Sequence, residues 1–495
     1  MVMRCFRAKY SEIFLKILHG MLIITGTLLS GCVFPHGPFE TASDFRRGFP
    51  VPENLMEIPD GQALTLQKAV EIALHNNPTN LAAAQSVYAA RYGYLRALSA
   101  YAPELNAAYS LGHTLSRGWD LKNPPEGVMK RNDHFNTAGT IQASLLLFDG
   151  FARELETIIA RQEFNKSTNI EKNVRRLLER AVAYAYYDMY LAGEEIIICQ
   201  EDLAFQNMAL QQAKERFRNG HVSKAPVLNF QILAARARSD IRNARYRRQV
   251  AFHALSALLG YANRELPEEI ELQEISMEHL PYIYDENYYL ELAVSNRPDL
   301  EVEKIALHIA WREKQKAYAG FFPEIRLFSE FTLDTRHARY GGYRVSRSHS
   351  NQGGFTYGVE GKWNIFQGFD TLNNVRKQEA LEKVALWGLN AKFLEVAAEV
   401  RDAHAHCENA RYQVEIFQDM AQWVLEQRNL VFSEYCNGRE TITRLNEVQA
   451  TLTEAQSRLI ISKVEFSKAA AQLAAAAGLR LFQLRDLPLT VTSGK

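Results

Sequence analysis

Few side chains in this sequence are spaced for chemistry. His404, His406 and Cys407 are the densest group of metal-type ligands. On a helix only positions three or four apart share a face, so His404 and Cys407 could hold one ion while His406 points elsewhere. Two ligands make a poor site, and the competing reading is an ordinary packing stripe. Arg236, Arg238, Arg242, Arg245, Arg247 and Arg248 form a basic run, suited to an anion-favouring lumen, to a partner, or to a solvated helical face. The N-terminus carries the sharpest chemical signal. Arg4, Arg7, Lys9 and Lys16 precede an apolar stretch from Ile17 to Leu29, the basic and hydrophobic parts of a secretion signal. Leu29, Ser30, Gly31 and Cys32 follow in the form of a lipoprotein processing site, where cleavage leaves a cysteine that takes covalent lipid. Two or three acyl chains on Cys32 would anchor the chain stably, and Val33 in place of Asp points to the outer membrane. Cys5 leaves with the signal. Cys199, Cys407 and Cys436 remain, and three thiols cannot all pair within one chain; they read as buried small hydrophobes. No phosphate loop, paired zinc-type His/Glu motif or nucleophile elbow occurs, which argues against an enzyme and against any cofactor beyond the lipid on Cys32.

The chain has 495 residues with 57 basic and 57 acidic side chains and 47% hydrophobic residues. It is neither a nucleic-acid binder by charge nor disordered by composition. After the signal no run of about 18 apolar residues appears, so no transmembrane helix is expected. Proline is unevenly spread: only Pro226 lies between Pro125 and Pro267, and none lies between Pro323 and Pro488. Such gaps permit very long uninterrupted helices.

The sequence is written twice. Glu71, Ala73, Asn76 and Pro78 recur as Glu291, Ala293, Asn296 and Pro298, and the Pro103-Glu104 pair recurs as Pro323-Glu324. Phe148, Gly150 and Phe151 recur as Phe366, Gly368 and Phe369. Asn219-Gly220 recurs as Asn437-Gly438, and Gly260 as Gly478. Two copies of about 200 residues follow. In each, Gly150 to Asn219 or Gly368 to Asn437 can form one helix of up to about 70 residues, near 105 Å long. Each returns after its glycine, giving two helical hairpins.

Between the short helices and the rods the period changes to two. Leu105, Ala107, Tyr109, Leu111 and Leu115 alternate with Asn106, Ser110, Thr114 and Ser116. Phe135, Ile141, Ala143, Leu145 and Leu147 do the same in the next strand. In the second copy Ile325, Leu327, Phe331 and Leu333 alternate with polar residues, then Phe355, Tyr357, Val359, Trp363 and Ile365. Loops at Arg117 to Asp133 and Thr335 to Gly354 make these hairpins, with strands of about 10 to 12 residues, the length that crosses a bilayer when tilted. Four strands cannot close a barrel, because the smallest membrane barrels need about eight. Strands that meet lipid therefore demand oligomerisation, and three copies supply twelve.

These features together resemble the TolC-like outer membrane factor family, the exit ducts of tripartite efflux pumps and type I secretion systems, in its lipoprotein branch. The resemblance spans about residues 64–478. It rests on the doubled layout, the Asn-x-Pro helix starts at Asn76 and Asn296, the Pro-Glu strand entries, the Phe-x-Gly turns at Gly150 and Gly368, and the tip glycines Gly220 and Gly438. The implied fold is an α+β membrane protein of two tandem repeats, a homotrimer whose helical hairpins form a periplasmic α-barrel and whose four strands per chain build a 12-stranded transmembrane β-barrel. The implied organisation is a signal peptide (1–31), a lipid-anchored leader (32–63), a first repeat (64–281), a second repeat (282–478) and a tail (479–495). The implied function is a passive outer membrane duct fed by a periplasmic adaptor (membrane fusion) protein and an inner-membrane pump. The alternative is a lipid-anchored periplasmic coiled-coil scaffold without a pore, which strand hairpins of bilayer length oppose.

By resemblance, the adaptor docks at Gly220, Val222, Gly438, Thr441 and Arg444. Arg216, Phe217 and Gly220 fit the family's tip pattern, as do Glu434, Tyr435 and Gly438. Pro226-Val227 stands where an Asp-Val pair is common, and Arg444-Leu445 holds the equivalent place in the second tip. The family's acidic constriction ring falls at Ala421 and Val424, so Asp419 and Glu426 nearby are the candidates for a periplasmic constriction.

Overall fold

The computed structural model describes residues 56, 63–120, 128–261, 270–273, 283–341 and 346–481. The expected signal, Cys32 and most of the leader lie outside the described residues, as do residues 482–495 of the tail.

Each repeat begins with a broken helix. Thr65 caps α1 (Leu66–Asn76), its hydroxyl accepting from the Lys68 N–H at 3.1 Å. Pro78 then holds Asn77 in an extended conformation, because its ring clashes with a helical residue before it. The chain restarts as α2 (Pro78–Ser99), where proline at the first helical position loses no needed donor. Strands β1 (Glu104–Asp120) and β2 (Val128–Phe148) follow, then α3 (Ala152–Arg218) and α4 (Ala225–Leu258). The second copy runs α5 (Glu286–Asn296), α6 (Pro298–Ala317), a 3-10 turn at Tyr318–Phe321, β3 (Glu324–Gly341), β4 (Ser346–Lys362), α7 (Asp370–Cys436) and α8 (Ile442–Ala476). The rods α3 and α7 are 67 residues each, about 100 Å of unbroken helix.

Duplication extends to the buried side chains. Leu178, Val182, Tyr186 and Met189 of α3 correspond by one constant offset to Val396, Val400, His404 and Cys407 of α7, and all eight are buried. His404 thus stands where Tyr186 stands. The Tyr186 hydroxyl donates to the Leu64 carbonyl at 2.8 Å, and His404 Nε2 bonds the Tyr284 carbonyl at 2.9 Å. Cys407 is a core residue in the place of Met189, and burial pushes its thiol up to about 12. The residues of the metal reading are therefore spent on packing.

All four strands form one antiparallel sheet in the order β1-β2-β3-β4, so the hairpins of the two repeats pair through β2 and β3. The strands are 17, 21, 18 and 17 residues long, well beyond the expected 10 to 12. Their ladders run through the segments expected as loops, to Asp120↔Val128 and Tyr340↔Ser346. Alternation marks only the stretch where one face is apolar, whereas backbone pairing needs no such pattern and continues beyond it. At the other end β4 stops at Lys362, and Trp363, expected inside the strand, donates its indole N–H to the Phe321 carbonyl at 3.1 Å.

The longer helices form a single layer, against which α1 packs on α3 and α5 on α7. In the half nearer the sheet the lateral order is α2, α3, α6, α7; in the half nearer the tips it is α4, α3, α8, α7. The joint between these halves is built alike in both repeats, with one substitution. Asn77 donates its amide to the Leu258 carbonyl at 2.9 Å at the end of α4, and Arg297 donates to the Ala476 carbonyl at 3.3 Å at the end of α8. Arg297 is 1% exposed at its side chain and pairs with Asp299 at 2.6 Å and Glu399 at 2.5 Å. Arg176 of α3 lies 3.5 Å and Lys392 of α7 3.4 Å from Asp299. Burial opposes charge on Asp299, but hydrogen bonds from Arg297 and the fields of Arg297, Arg176 and Lys392 outweigh it and hold the carboxyl well below the usual carboxylate range. Nothing in the sequence pattern marked this cluster; its signal was the mismatch of Asn77 with Arg297 between otherwise matching helix breaks.

The strand-to-rod turns are also alike. Gly150 and Phe151 take φ of 73° and 69°, Gly368 and Phe369 60° and 65°. A left-handed residue other than glycine costs about 1–2 kcal/mol, and edge-on ring pairs offset it, Phe148 with Phe151 and Phe366 with Phe369, each at 5.5 Å. The surroundings differ: a Cβ on Gly150 would lie 2.9 Å from the Ala319 carbonyl oxygen and from Phe322 Cβ, whereas one on Gly368 would meet nothing within 4 Å.

Two predictions follow from these joints. Gly150→Ala should destabilise more than Gly368→Ala, by about 1–3 kcal/mol beyond the shared backbone strain; equal melting temperatures for the two variants would refute the close contact. Asp299→Asn should cost about 3 kcal/mol at neutral pH, because it leaves Arg297 and Arg176 buried without their carboxylate. The depressed carboxyl stabilises fully above the unfolded value of about 3.9 and loses that contribution as pH falls through its folded value. Thermal melts between pH 7 and pH 3 should therefore fall less steeply for the variant than for the parent.

Candidate conduit wall and docking tips

The register of the sheet sorts its side chains onto two unlike faces. Ala107, Ile141, Phe331 and Phe355 stand in one row, and Leu145, Leu327 and Val359 in another on the same face. On the opposite face Asn106, Gln142, Glu330 and Thr356 form the matching polar row. Leu105 is 72% and Tyr357 75% exposed. An apolar face of this extent, left open, marks a surface built for another hydrophobic environment. The outer edges of β1 and β4 have no strand partner among the described residues. No described helix is long and apolar enough to cross a membrane.

The helical layer has the same unfinished character at its lateral edges. On α7, Val400, Cys407, Ala410, Val414 and Ala421 face inward, while Tyr412, Ile416, Trp423 and Leu430 are exposed on the far side. On α4, Phe230, Ala234, Ala237 and Ala244 are buried and Ile232, Tyr246 and Val250 exposed. In the half nearer the sheet, Tyr88 and Tyr92 of α2 and Trp387 and Leu394 of α7 are exposed in the same way. Each edge helix therefore has two apolar faces, of which its own chain covers one.

The two hairpin tips lie side by side. Gly220 and Gly438 take φ of 75° and 76°. His221 N–H donates to the Arg216 carbonyl at 2.9 Å and Arg439 N–H to the Glu434 carbonyl at 2.9 Å, so both rods end in the same left-handed cap. The restarts differ. Lys224 precedes α4 with no side-chain cap and Pro226 in the first turn, whereas Thr441 caps α8 by accepting from the Arg444 N–H at 3.2 Å. A shared core of Phe205, Val227, Phe230, Val431, Tyr435 and Leu445 binds the tips together. Arg216 crosses between them, donating to the Tyr435 carbonyl at 3.2 Å and lying 5.4 Å from the Tyr435 ring centre. Burial raises the Tyr435 phenol, against the opposing field of Arg216. This arginine was read only as part of a tip motif; its bridging role depends on the second repeat, out of reach of a local pattern.

Gly220, Gly438 and Thr441 are exposed at the tips, and Val222 and Arg444 half-buried beside them, Arg444 pairing with Glu447 at 2.9 Å. The five expected docking residues are thus one surface. Asp419 and Glu426 are both exposed on α7, two turns apart and on nearly the same side of the helix, with no ionic partner among the described residues. In the basic run, Arg247 pairs with Glu195 at 2.7 Å; Arg236, Arg238, Arg242 and Arg245 are exposed.

This geometry agrees with what the chain resembles. Similar solved structures include CusC at 19% identity, covering 87% of this chain and 97% of that one with a TM-score of 0.67. The Campylobacter jejuni CmeC outer membrane channel is 15% identical over 87% of this chain and 92% of its own, with a TM-score of 0.68. The open state of the Neisseria gonorrhoeae MtrE outer membrane channel is 20% identical over 88% and 96%, with a TM-score of 0.63. No curated protein matches the chain. At these identities the likeness carries the fold alone. The model of the outer membrane efflux protein family matches residues 69–261 and 289–479, one segment in each repeat. With both rods, all four strands and both tips inside the matched segments, the chain belongs to the outer membrane efflux protein family.

Proposed function

We propose that the protein is the outer membrane exit duct of a tripartite efflux pump or type I secretion system, working as a homotrimer. The observation that carries this reading is the sheet with one apolar face, one polar face and two open edges. Each edge presents backbone groups whose exposure to lipid costs several kcal/mol apiece. Pairing β4 of one copy with β1 of the next removes both edges, and three copies give twelve strands around a polar lumen. The exposed apolar stripes of α7, α4 and α2 would then pack between copies, continuing the wall into the periplasm. Conduction is passive, and the inner-membrane pump supplies energy.

In this reading Cys32 carries the lipid anchor in the outer membrane. The paired tips present Gly220, Val222, Gly438, Thr441 and Arg444 to a periplasmic adaptor protein, and their fixed spacing through Arg216 and Tyr435 supports a docking surface held in shape. Asp419 and Glu426 place carboxylates on the wall near its periplasmic end, where they would narrow and charge the passage.

Protein purified in detergent from cells fed labelled palmitate should carry label, have the mass of a trimer and conduct as discrete single channels, while Cys32→Ser loses only the label. Absence of conductance together with a monomeric or dimeric mass would sink the duct in favour of the poreless scaffold. At the tips, Arg444→Glu should reduce crosslinking to the cognate adaptor severalfold; unaltered crosslinking removes this residue from the interface.

A further inference from the structure

Helices α4 and α7 are the outermost members of the layer near the tips, and their open sides differ in charge as well as matching in greasiness. At 100° per residue, the exposed Tyr412, Ile416 and Trp423 of α7 point away from buried Cys407, Val414 and Ala421. Asp419 and Glu415 flank that stripe on one side. On α4 the exposed Ile232 and Tyr246 point away from buried Ala234 and Ala237, and Arg238 and Arg242 flank them. The two helices run in opposite directions, so when their stripes face each other these flanks fall on the same surface of the wall. Acid thus meets base.

The levels also agree. Arg216 ties the tips at one height, and a symmetry axis along the rods keeps heights equal between copies. Arg238 lies eighteen residues past Gly220 and Asp419 nineteen before Gly438, about 27 and 28 Å from the tips. Arg242 and Glu415 are twenty-two and twenty-three residues away, about 33 and 35 Å. Asp419, Arg238 and Arg242 have no ionic partner among the described residues, and Glu415 has only a 3.4 Å contact with Arg411 on its own helix.

We propose that a second copy of this chain covers the α7 edge with its α4, and that Arg238 and Arg242 of one copy pair with Asp419 and Glu415 of the next. The inference rests on the trimer reading above and assigns its seam. It moves Asp419 from the lumen to the seam; Glu426, on nearly the same side of α7, is level with the apolar Ile232 and meets no basic partner there. Charged flanks beside an apolar stripe would fix which helices meet and at what register.

The test uses the full-length protein in detergent with Cys436 changed to Ser. Arg238→Cys combined with Asp419→Cys should give disulfide-linked dimers and trimers under mild oxidation, with neither single variant doing so. At low salt, where screening is weak, Asp419→Arg or Arg238→Glu should each raise the dissociated fraction by about threefold or more, and the two reversals together should restore the parent value. A parent protein without trimeric mass defeats the trimer reading itself. A trimeric parent with no crosslink from the cysteine pair, and with reversals that do not rescue each other, overturns this seam while leaving the trimer in place.

Discussion

Backbone N–H and C=O groups along the outer edges of β1 and β4 have no strand to bond among the described residues, and this incompleteness organises everything else. Except at mid-height, where α1 packs on α3 and α5 on α7, the wall is one element thick from the sheet to the tips. A helix or strand in such a wall has neighbours on two sides only, and the terminal elements have one. A globular domain buries its apolar faces against a second layer. Beyond α1 on α3 and α5 on α7 this chain has no second layer among its described residues, so Leu105, Tyr357, Trp423 and Ile232 remain open. In the proposed trimer, lipid covers them along the sheet and further copies along the rods.

Duplication provides the regularity that a curved wall requires. The same φ values recur at Gly150 and Gly368, at Gly220 and Gly438, and at Gly260 and Gly478, which means both repeats turn the chain in the same places. The departures from duplication are equally informative. Where Asn77 needs one hydrogen bond to a helix end, Arg297 draws in Asp299, Glu399, Arg176 and Lys392. Since Arg176 belongs to the first repeat and Lys392 to the second, this cluster fastens α3, α6 and α7 at mid-height. The tips are tied separately by Arg216 and their shared aromatic core. Between these two clasps α3 and α8 are joined again by Lys468 to Asp188 at 2.6 Å, Gln449 to Asp202 at 2.9 Å and Arg180 to Gln472 at 3.0 Å, so the two repeats are fastened along their length.

Much of this was legible in residue order. Proline gaps foretold the rods, Asn-x-Pro the starts of α2 and α6 but not the break from the helix before each, and alternation the four strands, except that Trp363 and Ile365 fall beyond the end of β4. Strand length was underestimated because alternation stops where one face ceases to be apolar, although the ladder of hydrogen bonds does not. The histidines and cysteine of α7 attracted a metal reading because a local window cannot see that Tyr186 and Met189 fill the same places in the other repeat. The Arg297 cluster and the Arg216 bridge were missed because Glu399 and Arg176 in the first, and Tyr435 in the second, lie more than a hundred residues from the groups they meet.

Sequence alone thus determined the long helices, the cores of the four strands, their doubling and the left-handed turns at Gly150, Gly220, Gly368 and Gly438, since proline geometry, left-handed glycines and apolar periodicity act within a few residues. Tertiary structure decided that β2 pairs with β3, that the two hairpins meet through α3 and α8, and that the two tips share one core. Those choices follow from which surfaces can cover one another across the repeats, and no local spacing records them. The edges left over after that covering are what make one chain part of a larger wall.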